Sequence, residues 1–307
     1  MKRILVCIFV ATTFLVSPGC SSTKSSEINA PNGETTSQLE KQETQSMSDN
    51  QDGHSMEQMN HDSHSIENIN NEDNSKISTK AKFKAPENLA ANQQINLVID
   101  IQDTAGKPVN QFDIFQEKLM HLIVVSNNLE HFDHLHPEYK GNGHFEVSTN
   151  FPIPGEYSLF SEYKLAGQKE SLSLTNISIP GSVTLSKNLS KYEKTKTLSD
   201  TKVNLNLSAQ KINAGEDIKL TFDLKDNKNR TIKDLQLYLG EKGHLVIIKS
   251  SSPLTASDYI HAHALKNTTD ENIAFHTKFP KLGTYKMWVQ FNRNGKIKTA
   301  DFWVVLE

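Results

Sequence analysis

The sequence carries the same histidine pair twice. His134 and His136 lie one residue apart in HFDHLHPEYK, and His261 and His263 lie one residue apart in YIHAHALKN. Imidazole nitrogen is a common ligand for copper, zinc and nickel ions. Residues i and i+2 of a β-strand point to the same face, so each pair would present two ring nitrogens to one point. The repeated pair therefore predicts a metal site that is present in two copies.

A third histidine precedes each pair. His121 lies in KLMHLIVVS, and His244 lies in GHLVIIKS. If residues 127–130 form a four-residue turn, His121 lies directly across from His136, where cross-strand Cβ atoms are about 5 Å apart. The loop of the second copy is longer by four residues, since His261 follows His244 by 17 positions and His134 follows His121 by 13. An insertion in this loop should leave the strand pairing intact. We therefore predict two three-nitrogen metal sites, formed by His121, His134 and His136 and by His244, His261 and His263.

Two later histidines are weaker candidates. His144 and His276 each follow a pair, but they do not align with one another. Either could be a fourth ligand or a residue that hydrogen-bonds to a ligand. The alternative to metal binding is structural. A histidine at the start of an apolar strand can bond to backbone or to a carboxylate such as Asp133, and two of them can brace a loop. The sequence alone leaves both interpretations open.

The surrounding pattern is typical of β-strands. INLVIDIQD alternates apolar and polar residues, and KLMHLIVVS is continuously apolar, as in a strand that is covered on both faces. Helical periodicity is absent. The same landmarks recur in the same order, DIKLTFDLKD after QINLVIDIQD and FPKLGTYKMWVQF after FPIPGEYSLFSEY. The sequence predicts an all-β fold of two tandem immunoglobulin-like antiparallel β-sandwiches, at residues 81–181 and 201–307, joined by a linker at residues 182–200.

The N-terminal residues predict export and anchoring. Two basic residues precede an apolar run, Ile4–Val16, and SPGC ends at Cys20. We predict a lipoprotein-type signal peptide over residues 1–20 with Cys20 as the lipidated residue, the alternative being a signal without lipid. Residues 21–80 hold 11 acidic residues against 4 lysines and no aromatic residue, which predicts a disordered tether. Thioether and imidazole groups suit Cu(I), and imidazoles suit Cu(II) or Zn(II). The tether offers five candidate metal ligands: His54, Met56, Met59, His61 and His64.

Composition excludes several classes of function. Cys7 and Cys20 are the only cysteines, so the sandwiches have no disulfide, no thiolate ligand and no cysteine nucleophile. A net charge of −3 argues against a nucleic-acid partner. No Ser/His/Asp spacing, phosphate loop or carboxylate pair stands out. We therefore predict that the protein is not an enzyme.

Two stretches of each copy carry a family resemblance. LMHLIVVSNNLEHFDHLHPE with FPIPGEYSLF, and GHLVIIKS with FPKLGTYKMWVQF, resemble bacterial secreted or lipid-anchored proteins with YtkA-like immunoglobulin-fold domains. Several members of this family occur beside heavy-metal transport and resistance systems. The resemblance implies a heavy-metal transporter or efflux system as a partner. It covers both sandwiches but not the tether, and HAHAL replaces HLHPE in the second copy.

Two functional hypotheses follow. The first is an extracytoplasmic protein, anchored to the membrane by its lipid, that binds and buffers copper or zinc ions at the cell envelope. The second is a non-metal surface interaction module of two immunoglobulin-like domains, in which the histidines have a structural role.

Overall fold

The computed structural model describes residues 78–182, 193–266 and 272–307, apart from the side chain of His263. The predicted signal peptide, Cys20, and residues 21–77 of the predicted tether, with its candidate ligands His54, Met56, Met59, His61 and His64, lie outside the described residues. The described residues of both repeats belong to one compact unit. Within the described ranges, no helix has the length and apolar character that crossing a bilayer requires.

The first repeat is an antiparallel sandwich of two sheets. Its strands are β1 (Thr79–Lys84), β2 (Gln94–Asp103), β3 (Phe112–Asp113), β4 (Met120–Ser126), β5 (Phe132–Leu135), β6 (Glu138–Gly141), β7 (His144–Asn150), β8 (Gly155–Leu165) and β9 (Glu170–Ile179). One sheet has the order β1-β2-β7-β6, and the other has the order β3-β8-β4-β5 with β9 paired to β8. The alternation in β2 buries Leu97, Ile99 and Ile101 between the sheets.

The second repeat has the same plan, except that one of its sheets gains an edge strand beside the equivalent of β1. Its strands are β10 (Thr195–Thr197), β11 (Thr201–Leu207), β12 (Asp217–Asp226), β13 (Leu235–Gln236), β14 (His244–Lys249), β15 (Tyr259–His263), β16 (Asn272–Lys278), β17 (Gly283–Arg293) and β18 (Lys296–Leu306). The sheets have the orders β10-β11-β12-β16 and β13-β17-β14-β15, with β18 paired to β17. The all-β fold of two tandem sandwiches is confirmed. Because β10 lies inside residues 182–200, the linker is shorter than predicted, and β1 begins two residues before residue 81.

The two sandwiches share a hydrophobic layer. All seven residues of β4 are buried, because both of its faces are covered. Leu122 and Val124 point into the core of the first repeat. Ile123 and Val125 point the other way and pack in one cluster with Val246, Ile248 and Trp288 of the second repeat. The histidine-bearing sheets of the two repeats therefore lie face to face.

The contacts in this layer obey an approximate two-fold symmetry. The ring of Phe132 stacks on Trp288, with centroids 4.7 Å apart, and the ring of Phe160 stacks on Tyr259, with centroids 5.0 Å apart. Phe132 and Tyr259 occupy the same position on β5 and β15, and Phe160 and Trp288 occupy the same position on β8 and β17. The same stack is thus made twice with the repeats exchanged, as in an isologous dimer interface.

We expect Trp288→Ala to destabilise the protein strongly, because Trp288 is 3% exposed and lies between the repeats. The free energy of unfolding should fall by about 3–5 kcal/mol, as for other aromatic residues truncated in a core. Urea denaturation followed by circular dichroism measures this change. Val305→Ala on β18 is the control, since Val305 is 45% exposed and its truncation should cost less than about 0.5 kcal/mol. Equal stability of the two variants would contradict the shared layer.

Candidate metal centre

The strand ladders place the histidines as the sequence predicts. Leu122 lies opposite Leu135 and Ile123 lies opposite His134, so the next step of the register sets His121 against His136. In the second repeat, His244 lies opposite His263 and Val246 lies opposite His261. The longer loop of this repeat holds a 3-10 turn, Ala256–Asp258, and leaves the pairing of β14 with β15 intact.

The three imidazoles of the first repeat meet at one place. The ring centroid of His121 is 5.2 Å from that of His134 and 5.1 Å from that of His136, and the latter two are 4.7 Å apart. One ring nitrogen of each residue lies within 4.8 Å of the other two. The structure therefore brings together the predicted triad of His121, His134 and His136.

Hydrogen bonds fix which nitrogen of each ring faces its neighbour. Nε2 of His121 lies 3.2 Å from the carbonyl oxygen of Phe115, to which it donates. Nδ1 of His134 donates to Oε1 of Gln290, at 2.8 Å. Each ring thus carries its proton on the outer nitrogen when it is neutral. The inner nitrogens, Nδ1 of His121 and Nε2 of His134, then face one another with lone pairs at 3.0 Å. That arrangement is repulsive unless a proton or a cation lies between them.

Burial disfavours the proton. Desolvation, followed by the charge of neighbouring imidazoles, lowers the pKa of His121 and of His134 from 6.5 to about 3. The pKa of His136 falls to about 3 for the same reasons. The trio is therefore neutral at pH 7, which is the state that binds metal ions. Nε2 of His136 is buried and has no hydrogen-bond partner among the described residues.

The distances suit a metal ion. Two ligands at 2.0–2.1 Å in tetrahedral geometry are separated by about 3.3 Å, which is close to the 3.0 Å between the inner nitrogens of His121 and His134. The outer nitrogens donate to a carbonyl and a carboxamide oxygen, which is the usual arrangement behind metal-bound histidines. The donor set of the first repeat therefore fits copper or zinc.

The second repeat repeats this arrangement with one difference. Nε2 of His244 donates to the carbonyl oxygen of Tyr238, at 3.1 Å, and the inner nitrogens of His244 and His261 are 3.4 Å apart. Nδ1 of His261 lies 2.6 Å from the carboxylate of Glu162, rather than from an amide. Burial alone would lower the pKa of His261, but the charge and hydrogen bond of Glu162, together with the charges of Glu241 and Glu170, raise this pKa. The side chain of His263 lies outside the described part of the chain.

The two histidine groups adjoin across the interface between the repeats. The ring centroids of His121 and His244 are 6.5 Å apart, and those of His134 and His261 are 6.4 Å apart. The described part of the chain thus places five imidazoles in one cluster, at the layer where the two sandwiches meet.

The weaker candidates lie elsewhere. His144 on β7 bonds to Asp100 at 2.7 Å and Glu146 at 3.2 Å, and these two bonds raise its pKa. His276 lies on β16 opposite Lys219. Both residues belong to the sheets that do not carry the cluster, so the structure does not bring either of them to it. Asp133, the suggested carboxylate partner of a histidine at the start of an apolar strand, bonds instead to His131, at 3.1 Å.

Glu162 and Gln290 were missed by the sequence analysis. They contact the paired histidines of the opposite repeat. A signal was present, because Glu162 and Gln290 align with each other in FPIPGEYSLFSEY and FPKLGTYKMWVQF, where each is a polar residue near the end of a largely apolar strand. What the sequence could not show was that this face of the strand packs on the other repeat.

Comparison with known proteins supports the duplicated fold. The fold and its internal symmetry define a pair of docked immunoglobulin-like sandwiches. The chain belongs to the family described as a domain of unknown function (DUF8832), whose model matches residues 76–177 and again residues 196–307. The double match confirms the tandem repeat. A comparison with curated proteins finds no match.

Solved structures of several tandem β-sandwiches are similar at low identity. The Escherichia coli adhesin FdeC is 13% identical over 76% of this chain and 66% of its own, with a TM-score of 0.25. A tetra-tandem repeat from the extending region of a large adhesion protein is 10% identical over 75% of this chain and 50% of its own, with a TM-score of 0.25. A two-domain fibronectin type III segment of chicken tenascin is 8% identical over 74% of this chain and 99% of its own, with a TM-score of 0.23. The chain spans less than two thirds of the length of the two adhesin chains.

The buried histidines should make the metal-free protein sensitive to acid. The unfolded chain binds protons near pH 6.5, whereas the folded trio does so near pH 3. The stabilisation is therefore fully present above pH 6.5 and is lost as the pH falls below it. We expect the free energy of unfolding to drop by about 1–4 kcal/mol between pH 7.5 and pH 5.5.

Urea denaturation with a chelator present at each pH measures this drop. His144→Gln is the control. The pKa of His144 is shifted upward, so its removal should leave the loss of stability at low pH in place. A free energy of unfolding that does not change over this range would contradict the buried, neutral state of the trio.

Proposed function

We propose that this protein binds a copper or zinc ion through His121, His134 and His136. The observation that carries the proposal is the pair of inner nitrogens, Nδ1 of His121 and Nε2 of His134, which face each other at 3.0 Å while both outer nitrogens are engaged. A metal ion between them would replace a lone-pair repulsion by two coordinate bonds.

The chemistry of the site narrows the choice of ion. Three neutral imidazoles without a thiolate or carboxylate suit Cu(I), Cu(II) or Zn(II), whereas Mg²⁺ and Ca²⁺ prefer oxygen ligands. His121 is buried and His134 and His136 are half-buried, so an ion held there would be only partly shielded from solvent. Such a site suits buffering or transfer of ions and requires no catalysis.

We further propose that this site lies at the cell envelope. A lipidated Cys20 would anchor the chain to the membrane and leave the sandwiches facing the extracytoplasmic side. The candidate ligands of the tether would capture ions, and the sandwiches would hold them or pass them to a heavy-metal transporter. The run of apolar residues before SPGC and the YtkA-like resemblance support this part of the proposal.

A second candidate function is a surface interaction module, which tandem immunoglobulin-like domains fit. One observation favours it. Ile114 is 70% exposed and Leu237 is 65% exposed, and they occupy the same position after β3 and β13. Two exposed aliphatic side chains at equivalent positions could contact a partner protein. Under this alternative, replacing the histidines would leave partner binding unchanged, whereas Ile114→Ser with Leu237→Ser would weaken it.

Calorimetric titration with Cu(II) and Zn(II) at pH 7.5 tests the metal proposal. The background is the full chain in which serine replaces the tether ligands His54, Met56, Met59, His61 and His64. The measured heat then comes from binding to the sandwiches. Replacing a residue that only hydrogen-bonds to a metal ligand weakens metal binding roughly 10- to 100-fold. We expect His134→Leu and His136→Ala, which remove ligands themselves, each to weaken binding by more than this.

His144→Gln is the matched control for this titration, since His144 lies on the sheet away from the cluster. It should bind as tightly as the background chain. The absence of heat and of any spectral change in the background chain would refute the proposal.

A further inference from the structure

Each repeat hydrogen-bonds to a paired histidine of the other at the cluster, and Glu162 also accepts from the hydroxyl of Tyr259 at 3.3 Å. Gln290 of the second repeat accepts from Nδ1 of His134 at 2.8 Å. Glu162 of the first repeat bonds to Nδ1 of His261 at 2.6 Å. In the strand ladders Glu162 lies opposite His121, and Gln290 lies opposite His244, so the two residues occupy the same position. The exchange follows the same two-fold symmetry as the aromatic stacks.

These bonds act on the orientation of the inner nitrogens. A metal-bound histidine coordinates with one ring nitrogen and donates from the other, and the acceptor fixes both the tautomer and the ring direction. The acceptor on His134 is itself held in place. Nε2 of Gln290 donates to Oγ1 of Thr299 at 3.2 Å, which leaves Oε1 directed at His134, and Gln290 is 6% exposed.

We propose that Gln290 and Glu162 are positioning residues that each repeat supplies to the histidine site of the other. The docked pair, rather than either sandwich, is then the unit that binds metal. This inference rests on the proposed function, and it adds to it the residues that make the site depend on both repeats.

The two positions differ in chemistry. Glu162 offers a carboxylate and Gln290 offers a carboxamide, and a carboxylate behind a histidine makes that histidine a stronger metal donor. The second-repeat site, which has the carboxylate, and the first-repeat site, which has the amide, are therefore unequal. Exchanging the amide for a carboxylate at Gln290 should strengthen the first-repeat site.

The experiment compares variants at Gln290 in the full chain with the tether ligands replaced by serine. Gln290→Leu keeps the volume and removes the acceptor, Gln290→Ala removes both, and Gln290→Glu keeps an acceptor. Zinc affinity is measured by competition with a chromophoric chelator, and the ligand geometry by the visible spectrum of the Co(II) form. Circular dichroism confirms that each variant is folded.

We expect Gln290→Leu to lower the affinity of the first-repeat site about 10- to 100-fold and to change its Co(II) spectrum, while the second-repeat site keeps the parent affinity. Gln290→Glu should retain or exceed the parent affinity. Gln94→Leu is the matched control. Gln94 bonds to Ser148 and lies on β2, in the sheet of the first repeat that carries none of the clustered histidines. It should leave both the affinity and the spectrum unchanged.

The outcomes separate this inference from the proposed function. If the parent chain binds no metal, the proposed function fails and the inference fails with it. If the parent binds metal and Gln290→Leu binds equally well with the same spectrum, the inference alone is overturned. If Gln290→Leu does not fold, Gln290→Ala carries the same comparison. A weakened Gln290→Glu that matches Gln290→Leu would show that packing, and not the acceptor, positions His134.

Discussion

The packing of one histidine-bearing sheet against the other is the constraint on which the rest of this structure depends. Strands β4 and β14 are each central in their sheets, and the shared layer covers the face that solvent would otherwise reach. His121 and His244 lie at the start of these strands, and His134 and His261 lie on the neighbouring strands β5 and β15, so the cluster forms beside the shared layer. Desolvation there keeps the imidazoles of the first repeat neutral, and the neutral rings have lone pairs to offer. Burial, protonation state and donor capacity thus have one common origin.

Duplication explains the symmetry of the interface, and one position shows where the copies have diverged. The aromatic stacks and the bonds from the outer nitrogens occur twice with the same geometry. Glu162 and Gln290 are equivalent in place but differ in charge, and the histidines they contact differ accordingly. The pKa of His134 is lowered, and that of His261 is raised. This difference, together with the nearby charges of Glu241 and Glu170, gives two similar histidine groups different electrostatic character within the same fold.

Much of this arrangement could be predicted from sequence because it depends on local patterns. The alternation of apolar and polar residues predicted the strands, and the repeated landmarks predicted the two tandem sandwiches. The length of the β4–β5 loop predicted the register that sets His121 against His136. The docking of the sandwiches could not be predicted in the same way, since it joins surfaces far apart in the chain. A clue existed in KLMHLIVVS. A strand of a two-sheet sandwich normally has one solvent face, so a run that is apolar on both faces requires a further layer.

The shared layer also bears on how the molecule associates. Without its partner, the first repeat would expose Phe160 and the second would expose Trp288, each with its aliphatic neighbours. Exposing this apolar surface to water is unfavourable, so any complementary surface would tend to cover it. A second chain carries the same surface and could supply it. Covalent connection of the repeats gives the internal partner an effective concentration in the millimolar range, about a thousand times that of a micromolar solution. Tethering therefore keeps the pairing within one molecule and protects the chain from exchanging halves with its neighbours.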